Sequence, residues 1–263
     1  MNWDYGLKIL KTKKERNEMA RSSFNLVDKE WIPCIMKNGS SCGLGILETL
    51  SKADDIKEIF DPSPLATAAL YRLLLVALHH FGPASVEEWR TMWETRHFDR
   101  STLQEYFDKW HSRFDLFDKE HPFYQSQGLV LKKKTPLKRL AFEYAAQNNP
   151  TLFDHSTDDD RPPFPAKTAA LWLVVNQSFA PTAGKSSTIH TKDSPWSRGA
   201  VILVNGDNLF QTLMLNLIPG TMIPREFSGY GKPVWESDTK LNPAHGVVPK
   251  GYLNYMTIQS RAI

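Results

Sequence analysis

The sequence predicts an α+β fold in which short sheets are packed with helices. Three observations carry that prediction. An apolar stretch from Leu65 to Phe81 has the length and entry signal of a buried helix. A stripe of Leu103, Tyr106, Phe107, Trp110 and Phe114 falls at helical spacing. Two short β-prone runs, Trp31–Met36 and Cys42–Ile46, flank an Asn38-Gly39 pair, which supplies the positive φ angles of a hairpin turn.

The remaining elements follow in order. Residues 1–22 are polar and basic and read as a charged N-terminal extension, so the folded domain is expected over 23–263. Ser63 is placed to cap the first long helix, and Pro64 at its first position loses no hydrogen bond. Gly82-Pro83 stops it. A second helix begins near Ser85, with Glu87 and Glu88 in its first turn, and a third runs from about Ser101 to Phe114. After Pro122 the chain becomes irregular, and Thr151–Pro165, rich in Asp and Pro, reads as a surface loop. Lys167–Phe179 is helical, and Pro181–Trp196 is a long loop of the kind that is usually functional in a compact domain. Ala200–Val204 reads as a short strand, Asn205-Gly206 as a turn, and Asp207–Leu217 as a helix capped by Asp207. Five prolines make 219–250 loop-dominated.

Composition excludes several classes. A chain with 41% hydrophobic and 11% aromatic residues builds a core and is not disordered. With 32 basic against 29 acidic residues, the net charge of +3 is too balanced for a histone-like coat. Contact with nucleic acid would have to come from a local patch. Cys34 and Cys42 are too few for a disulfide framework or a four-ligand zinc site and read as two free buried thiols. The N-terminus has no apolar core behind its charges, and Leu65–Leu78 contains Arg72 and is too short to span a bilayer. These features predict a soluble, cytoplasmic protein with no membrane contact.

Catalytic signatures are missing. The sequence has no P-loop, no Gly-x-Ser-x-Gly elbow, no His-Glu-x-x-His and no paired Cys-x-x-Cys. Asp154, His155, Asp158, Asp159 and Asp160 lack the spacing and glycine turn of a cation loop and read as a solvated acidic segment. His79 and His80, adjacent on a helix, point in different directions and cannot chelate one ion together. No cofactor and no enzyme activity are expected. Two basic features remain. Lys132, Lys133, Lys134, Lys138 and Arg139 place five positive charges in eight residues, which makes either a solvated face or a phosphate-binding strip. Ala180–Ser187 is a small-residue loop leaving a helix. Its Gly184-Lys185-Ser186 triplet lacks the first glycine of a nucleotide-binding loop, but its backbone can approach a ligand or a shallow groove closely.

Several segments, in this order, resemble the large-subunit (CasA) family of the type I-E CRISPR Cascade complex. They are Phe24–Pro33 (FNLVDKEWIP), Leu44–Leu50 (LGILETL), the helix from Pro64 to Phe81, Phe114–Gln125 (FDLFDKEHPFYQ), Asn176–Ser186 (NQSFAPTAGKS), Arg198–Leu217 and Lys250–Arg261 (KGYLNYMTIQSR). The Phe114–Gln125 segment is the most specific, similar to the family's F-x-L-F…P-F-Y/M-Q pattern. The series spans residues 24–261.

The resemblance implies a non-catalytic subunit of an RNA-guided surveillance complex that recognises the protospacer-adjacent motif of duplex DNA and aids its opening. Base pairing with the guide reads sequence, while protein reads the short flanking motif. The implied partners are the other Cascade subunits, guide RNA, double-stranded target DNA and a helicase-nuclease. The family's motif-contacting loop matches Pro181, Thr182, Ala183, Gly184 and Lys185, with Gly184 the clearest correspondence. Lys132, Lys133, Lys134, Lys138 and Arg139 become a candidate DNA-backbone contact, and Thr151–Pro165 a segment touching the complex near the guide. The family continues beyond the matched part with a further part of the main domain and a C-terminal four-helix bundle. The expected fold is therefore its N-terminal domain, truncated relative to the family and without that bundle, and a complex built on it would depend less on a separate nuclease. A scaffold subunit that caps the complex without reading DNA is the alternative.

Overall fold

The computed structural model describes residues 23–128, 137–144, 164–181, 193–237, 248–261 and 263. The expected extension over 1–22 and most of the acidic Thr151–Pro165 segment lie outside them. The hairpin forms where its turn chemistry puts it. Strand β1 (Ile32–Met36) pairs antiparallel with β2 (Ser41–Leu44), and Gly39 sits at φ +84° between them. Asn38 Oδ1 accepts the Ser40 amide at 2.9 Å, and the Met36 amide closes the turn on the Ser40 carbonyl at 2.8 Å. This register sets Cys34 opposite Cys42. Both thiols are free, but only Cys34 is buried; Cys42, near the outer edge of the hairpin, is half-buried. Burial, with Cys42 adding to it, pushes the Cys34 thiol up to about 12.

A third strand, β3 (Ile56–Ile59), adds antiparallel to the other side of β1, giving the order β2-β1-β3. Helix α1 (Ile46–Ser51) lies between β2 and β3 in the chain. Its entry residue Gly45 passes so close to the Val27 carbonyl that a Cβ there would stand 2.2 Å from the oxygen. Neither α1 nor β3 was expected: six and four residues are too short for a periodicity to show.

Helix α2 (Pro64–His80) is the centre of the molecule, and every residue from Ala69 to His79 is buried. It packs against α5 (Ala166–Phe179), α6 (Leu209–Leu215) and α7 (Tyr252–Thr257), as well as β3. Pro64 occupies its first turn as expected, but Ser63 makes no side-chain cap; its own amide goes to Asp61 Oδ1 at 2.9 Å instead. Helix α3 (Val86–Thr95) is capped by Ser85, which accepts the Glu88 amide, while Glu88 returns to the Ala84 amide. Helix α4 (Arg100–Trp110) continues into a 3-10 turn, His111–Phe114. Leu103, Tyr106, Phe107 and Phe114 are buried, and Trp110 is packed partly against them.

Two expectations in the last third are corrected. Ala200–Val204 joins no ladder, because no described strand lies beside it; Asn216 holds Val204 at both backbone groups instead. The cap of α6 is Asn208, which accepts the Gln211 amide at 2.9 Å, while the Asp207 amide donates to the Gln211 side chain at 2.8 Å. The reciprocal pair is shifted by one residue, so the helix starts at Leu209.

The two histidines ending α2 part as adjacency requires. His80 meets Glu236 at 3.0 Å, whereas His79 is buried. His79 Nδ1 donates to the Leu75 carbonyl at 2.7 Å and Nε2 accepts the Ile218 amide at 3.1 Å, an arrangement only the neutral ring can make. Burial pulls its pKa from 6.5 to about 4. Between those values the unfolded chain binds the extra proton, so this contribution to stability is complete above pH 6.5 and falls as pH drops toward 4. The full loss amounts to about 3 kcal/mol. Denaturant midpoints measured from about pH 7 to about pH 5 should decline steadily in this chain and much less in His79→Gln.

Candidate nucleic-acid interface

The small-residue loop leaves the C-terminal end of α5, and the chemistry of that end is unlike the rest of the helix. After the apolar Trp172–Val175, three polar residues follow, Asn176, Gln177 and Ser178, and all three are buried. Buried polar groups must find partners: the Asn176 amide donates to the Leu140 and Trp172 carbonyls and Ser178 Oγ to the Val174 carbonyl, while the main-chain carbonyls of this last turn hold the downstream stem of the loop. The Ser194 amide donates to the Ala180 carbonyl and the Trp196 amide to the Ser178 carbonyl, each at 2.9 Å. Ser194 Oγ donates to the Asn176 carbonyl at 2.8 Å and shares a 2.6 Å hydrogen bond with Ser260 Oγ. The loop between Pro181 and Asp193 is therefore closed at its base by main-chain bonds.

The C-terminal segment locks that base. Gln177 Nε2 donates to the carbonyls of Tyr124 (3.1 Å) and Arg261 (2.9 Å), and Gln177 Oε1 accepts the Arg261 amide at 3.0 Å. Arg261 Nη2 reaches the carbonyls of Ala180 and Pro181, the first two residues past the helix. A cation there satisfies helix-end carbonyls and complements the negative end of the helix dipole. Tyr124, in the Phe-Tyr-Gln motif, holds φ at +54°. A left-handed conformation in a tyrosine costs on the order of 1 kcal/mol, and here it accompanies the carbonyl's bond to Gln177.

Downstream, Trp196 lies under Arg72, whose guanidinium carbon is 5.0 Å from the ring centroid. Arg72 is the sole arginine of α2 and is buried; its Nη2 donates to the Tyr255 carbonyl at 3.1 Å, and burial lowers its pKa. Tyr255 Oη donates to the Pro195 carbonyl at 3.2 Å. Both stems are thus tied to α2, α5 and α7.

Pro181 is exposed at the loop's first position; Thr182, Ala183, Gly184 and Lys185 lie outside the described residues. Of the basic strip, Lys132, Lys133 and Lys134 also lie outside them. Its described end is a 3-10 turn, Leu137–Leu140, seated on α5, where Asn176 Nδ2 donates to the Leu140 carbonyl at 2.5 Å. Lys138 is only 3% exposed in that turn, which withdraws its ammonium from the solvent-facing strip expected of it; Arg139 is half-buried. Asn176 therefore touches both features, by its side chain on the strip and by its carbonyl on the loop stem. The acidic cluster Asp154–Asp160 falls outside the described residues. Among those described, no group of three His, Cys, Asp or Glu side chains is disposed to hold a metal, and no helix is long and apolar enough to cross a membrane.

The stem residues Gln177, Ser194 and Arg261 were not singled out from the sequence. The signal was present as three polar residues closing an otherwise apolar helix. Gln177→Leu deletes four buried or part-buried hydrogen bonds, to Tyr124, Ser260 and twice to Arg261, and strands their partners, a loss of about 2–3 kcal/mol. Amide exchange should accelerate at Arg261 and, through the shared stem, at Ser194, while the amides of α2 stay protected.

Comparison with known proteins agrees with this architecture. The family model for CRISPR-associated protein Cse1 matches residues 25–263. CRISPR-associated protein CasA/Cse1 of Thermus thermophilus is 39% identical over 217 residues, which cover 81% of this chain and 42% of that protein. A crystal structure of Thermus thermophilus CasA superposes with a TM-score of 0.76 at 30% identity, over 92% of this chain and 48% of its own. A chain of a CRISPR RNA-guided surveillance complex shares the fold, with a TM-score of 0.70 at 20% identity over 83% of this chain and 47% of its own. The chain thus spans somewhat under half the length of these relatives. With the family match running from Asn25 to its last residue, the chain belongs to the CRISPR-associated protein Cse1 family.

Proposed function

We propose that this chain acts as the large subunit of a type I-E CRISPR RNA-guided surveillance complex in the cytoplasm, without catalytic chemistry of its own. It contacts the motif flanking the target in duplex DNA through Pro181, Thr182, Ala183, Gly184 and Lys185 and aids opening of the duplex. Lys132, Lys133, Lys134 and Arg139 neutralise backbone phosphates. Its partners are the other Cascade subunits, guide RNA and double-stranded target DNA, and a helicase-nuclease acts on the DNA it opens. Lys138, being buried, is left out of the phosphate-contacting set.

The observation that supports this reading best is the last turn of α5. The carbonyls of Asn176, Ser178 and Ala180 hold the downstream stem of the small-residue loop, Gln177 fixes the Arg261 that reaches the Ala180 carbonyl, and the Asn176 side chain holds the end of the basic strip. A loop meant only to connect two elements needs no such base. One presenting its backbone to a groove does, because a displacement of about 1 Å is enough to lose a close contact. Lysines supply sequence-independent attraction, and small residues supply close approach, so the two segments divide affinity from selectivity.

The test is binding of the assembled, guide-loaded complex to duplexes that carry varied flanking motifs. Gly184→Trp should weaken binding to the preferred motif by about tenfold or more and leave assembly intact. Lys132, Lys133 and Lys134 changed together to Ala should weaken binding to every duplex alike and reduce the slope of log affinity against log salt by up to about 3. If neither variant moves DNA binding, the chain is a scaffold that caps the complex.

A further inference from the structure

The hairpin sets two thiols against each other. Cys34 lies on the central strand β1 and Cys42 on β2, directly opposite in the antiparallel register. Residues paired in this way send their side chains to the same face of the sheet. The Met36 amide bonds the Ser40 carbonyl, and bonded and unbonded pairs alternate along the ladder, so two residues on Cys34 and Cys42 form a hydrogen-bonded pair. Cα atoms in such a pair stand about 5.5 Å apart, inside the span of roughly 4.4–6.8 Å that a disulfide bridges.

The two cysteines differ in access. Cys34 is 2% exposed, flanked by Cys42 on one side and Ile59 on the other. Burial pushes its thiol up to about 12, so at neutral pH it is protonated and inert toward an oxidant on its own. Cys42 is half-buried on β2, which has no further strand on its outer side among the described residues. A reachable thiol with a second one poised beside it is the arrangement of an oxidisable cysteine and its resolving partner.

We infer that Cys42 is a thiol oxidised by peroxide and that Cys34 resolves it, so that the pair forms a reversible disulfide across the hairpin. The Cys42 thiolate sulfur takes one oxygen as the O–O bond of hydrogen peroxide breaks, and the hydroxide that leaves is protonated to water. The Cys34 sulfur then attacks the Cys42 sulfur. The S–S bond forms, the S–O bond breaks, and the Cys34 proton departs with that hydroxide as a second water. Two thiols and one peroxide thus become one disulfide and two waters. Joining residues that the hairpin already pairs closes only a short loop, so the bond adds little to stability. Its consequence is to halt Cys42 at a reversible stage, before the sulfinic acid that thiols do not reduce. Both cysteines lie in the sheet, away from the small-residue loop and the basic strip, so the inference stands apart from the reading of the chain as a DNA contact.

The test treats the folded 263-residue chain with hydrogen peroxide, removes the oxidant, denatures the chain and labels its thiols with a maleimide. Labelled cysteines should fall from two to none, and dithiothreitol before labelling should restore both. Trypsin cuts after Lys29, Lys37 and Lys52, so the bond is read as peptides 30–37 and 38–52 that stay joined until reduced. Cys42→Ser should leave Cys34 labelled, because peroxide does not oxidise the buried thiol alone. Cys34→Ala should let Cys42 pass through a sulfenic acid that dimedone traps to a sulfinic acid that dithiothreitol does not restore. Survival of both thiols in the folded chain, under peroxide that oxidises the urea-unfolded chain, overturns the inference. So does conversion of Cys42 to sulfinic acid while Cys34 stays labelled, and so does a bond that joins two chains through Cys42. All three are read on the unaltered chain, so the outcome holds whether or not either variant folds.

Discussion

Everything else in the molecule is arranged around the need to enclose α2. Its residues from Ala69 to His79 are all buried, so cover is required on every side, and no single partner can supply it. The three-stranded sheet contributes through β3, and α5, α6 and α7 close the remaining faces. These come from distant parts of the sequence, and each is short apart from α5. The apolar surface they bury together against one helix is what makes such fragments into a stable unit. Phe107, Phe114 and Phe210, fully enclosed, extend the same core beyond the helix, and each contributes on the order of 1.5–3 kcal/mol by burial.

Arg72 and His79 interrupt the buried Ala69–His79 stretch of α2, and both connect the core to something outside it. His79 accepts the Ile218 amide and so fixes the chain after α6. Arg72 is the more expensive: a guanidinium away from water needs compensation. Among the described residues it receives the Tyr255 carbonyl and the face of Trp196, and its Nε remains without a partner. That arrangement binds the downstream stem of the small-residue loop to the buried helix α2. The upstream stem is α5 itself, packed along the same helix. The loop base is therefore positioned by the core and not by its own sequence, which is why small residues can occupy it.

The strong local signals were legible in the sequence. Asn38-Gly39, Pro64, Gly82-Pro83 and the stripe of α4 announced their elements because turn chemistry and apolar spacing act over a few residues. What escaped were features decided at a distance. Ala200–Val204 has a strand's composition, but a strand exists only where a second one pairs with it. Ser63 has a capping hydroxyl, but Asp61 engages its amide and the helix begins without a side-chain cap. The site was legible in part: the loop and the basic run stand out in the sequence, and the resemblance gave them roles. The clamp beneath them did not stand out, because Gln177 and Arg261 meet across 84 residues of chain. Lys138 shows the converse, since a lysine in a basic run is expected in solvent, yet in the Leu137–Leu140 turn it is buried.

The burial of Lys138 also sharpens how charge is used. A net charge of +3 over 263 residues gives the molecule little long-range field, so attraction to a polyanion has to be local, and each lysine withdrawn from the surface matters. Within the proposed function, the phosphate-neutralising role falls to Lys132, Lys133 and Lys134, with Arg139 at the edge. These are joined to α5 through a turn whose last carbonyl is held by Asn176. The loop proposed to approach the duplex is held at its stem by the same residue's carbonyl through Ser194. A change of the Asn176 side chain would free the strip's turn from α5 and leave the main-chain hold on the loop stem in place. One residue at the end of one helix thus anchors both segments, the turn of the strip by its side chain and the stem of the loop by its carbonyl.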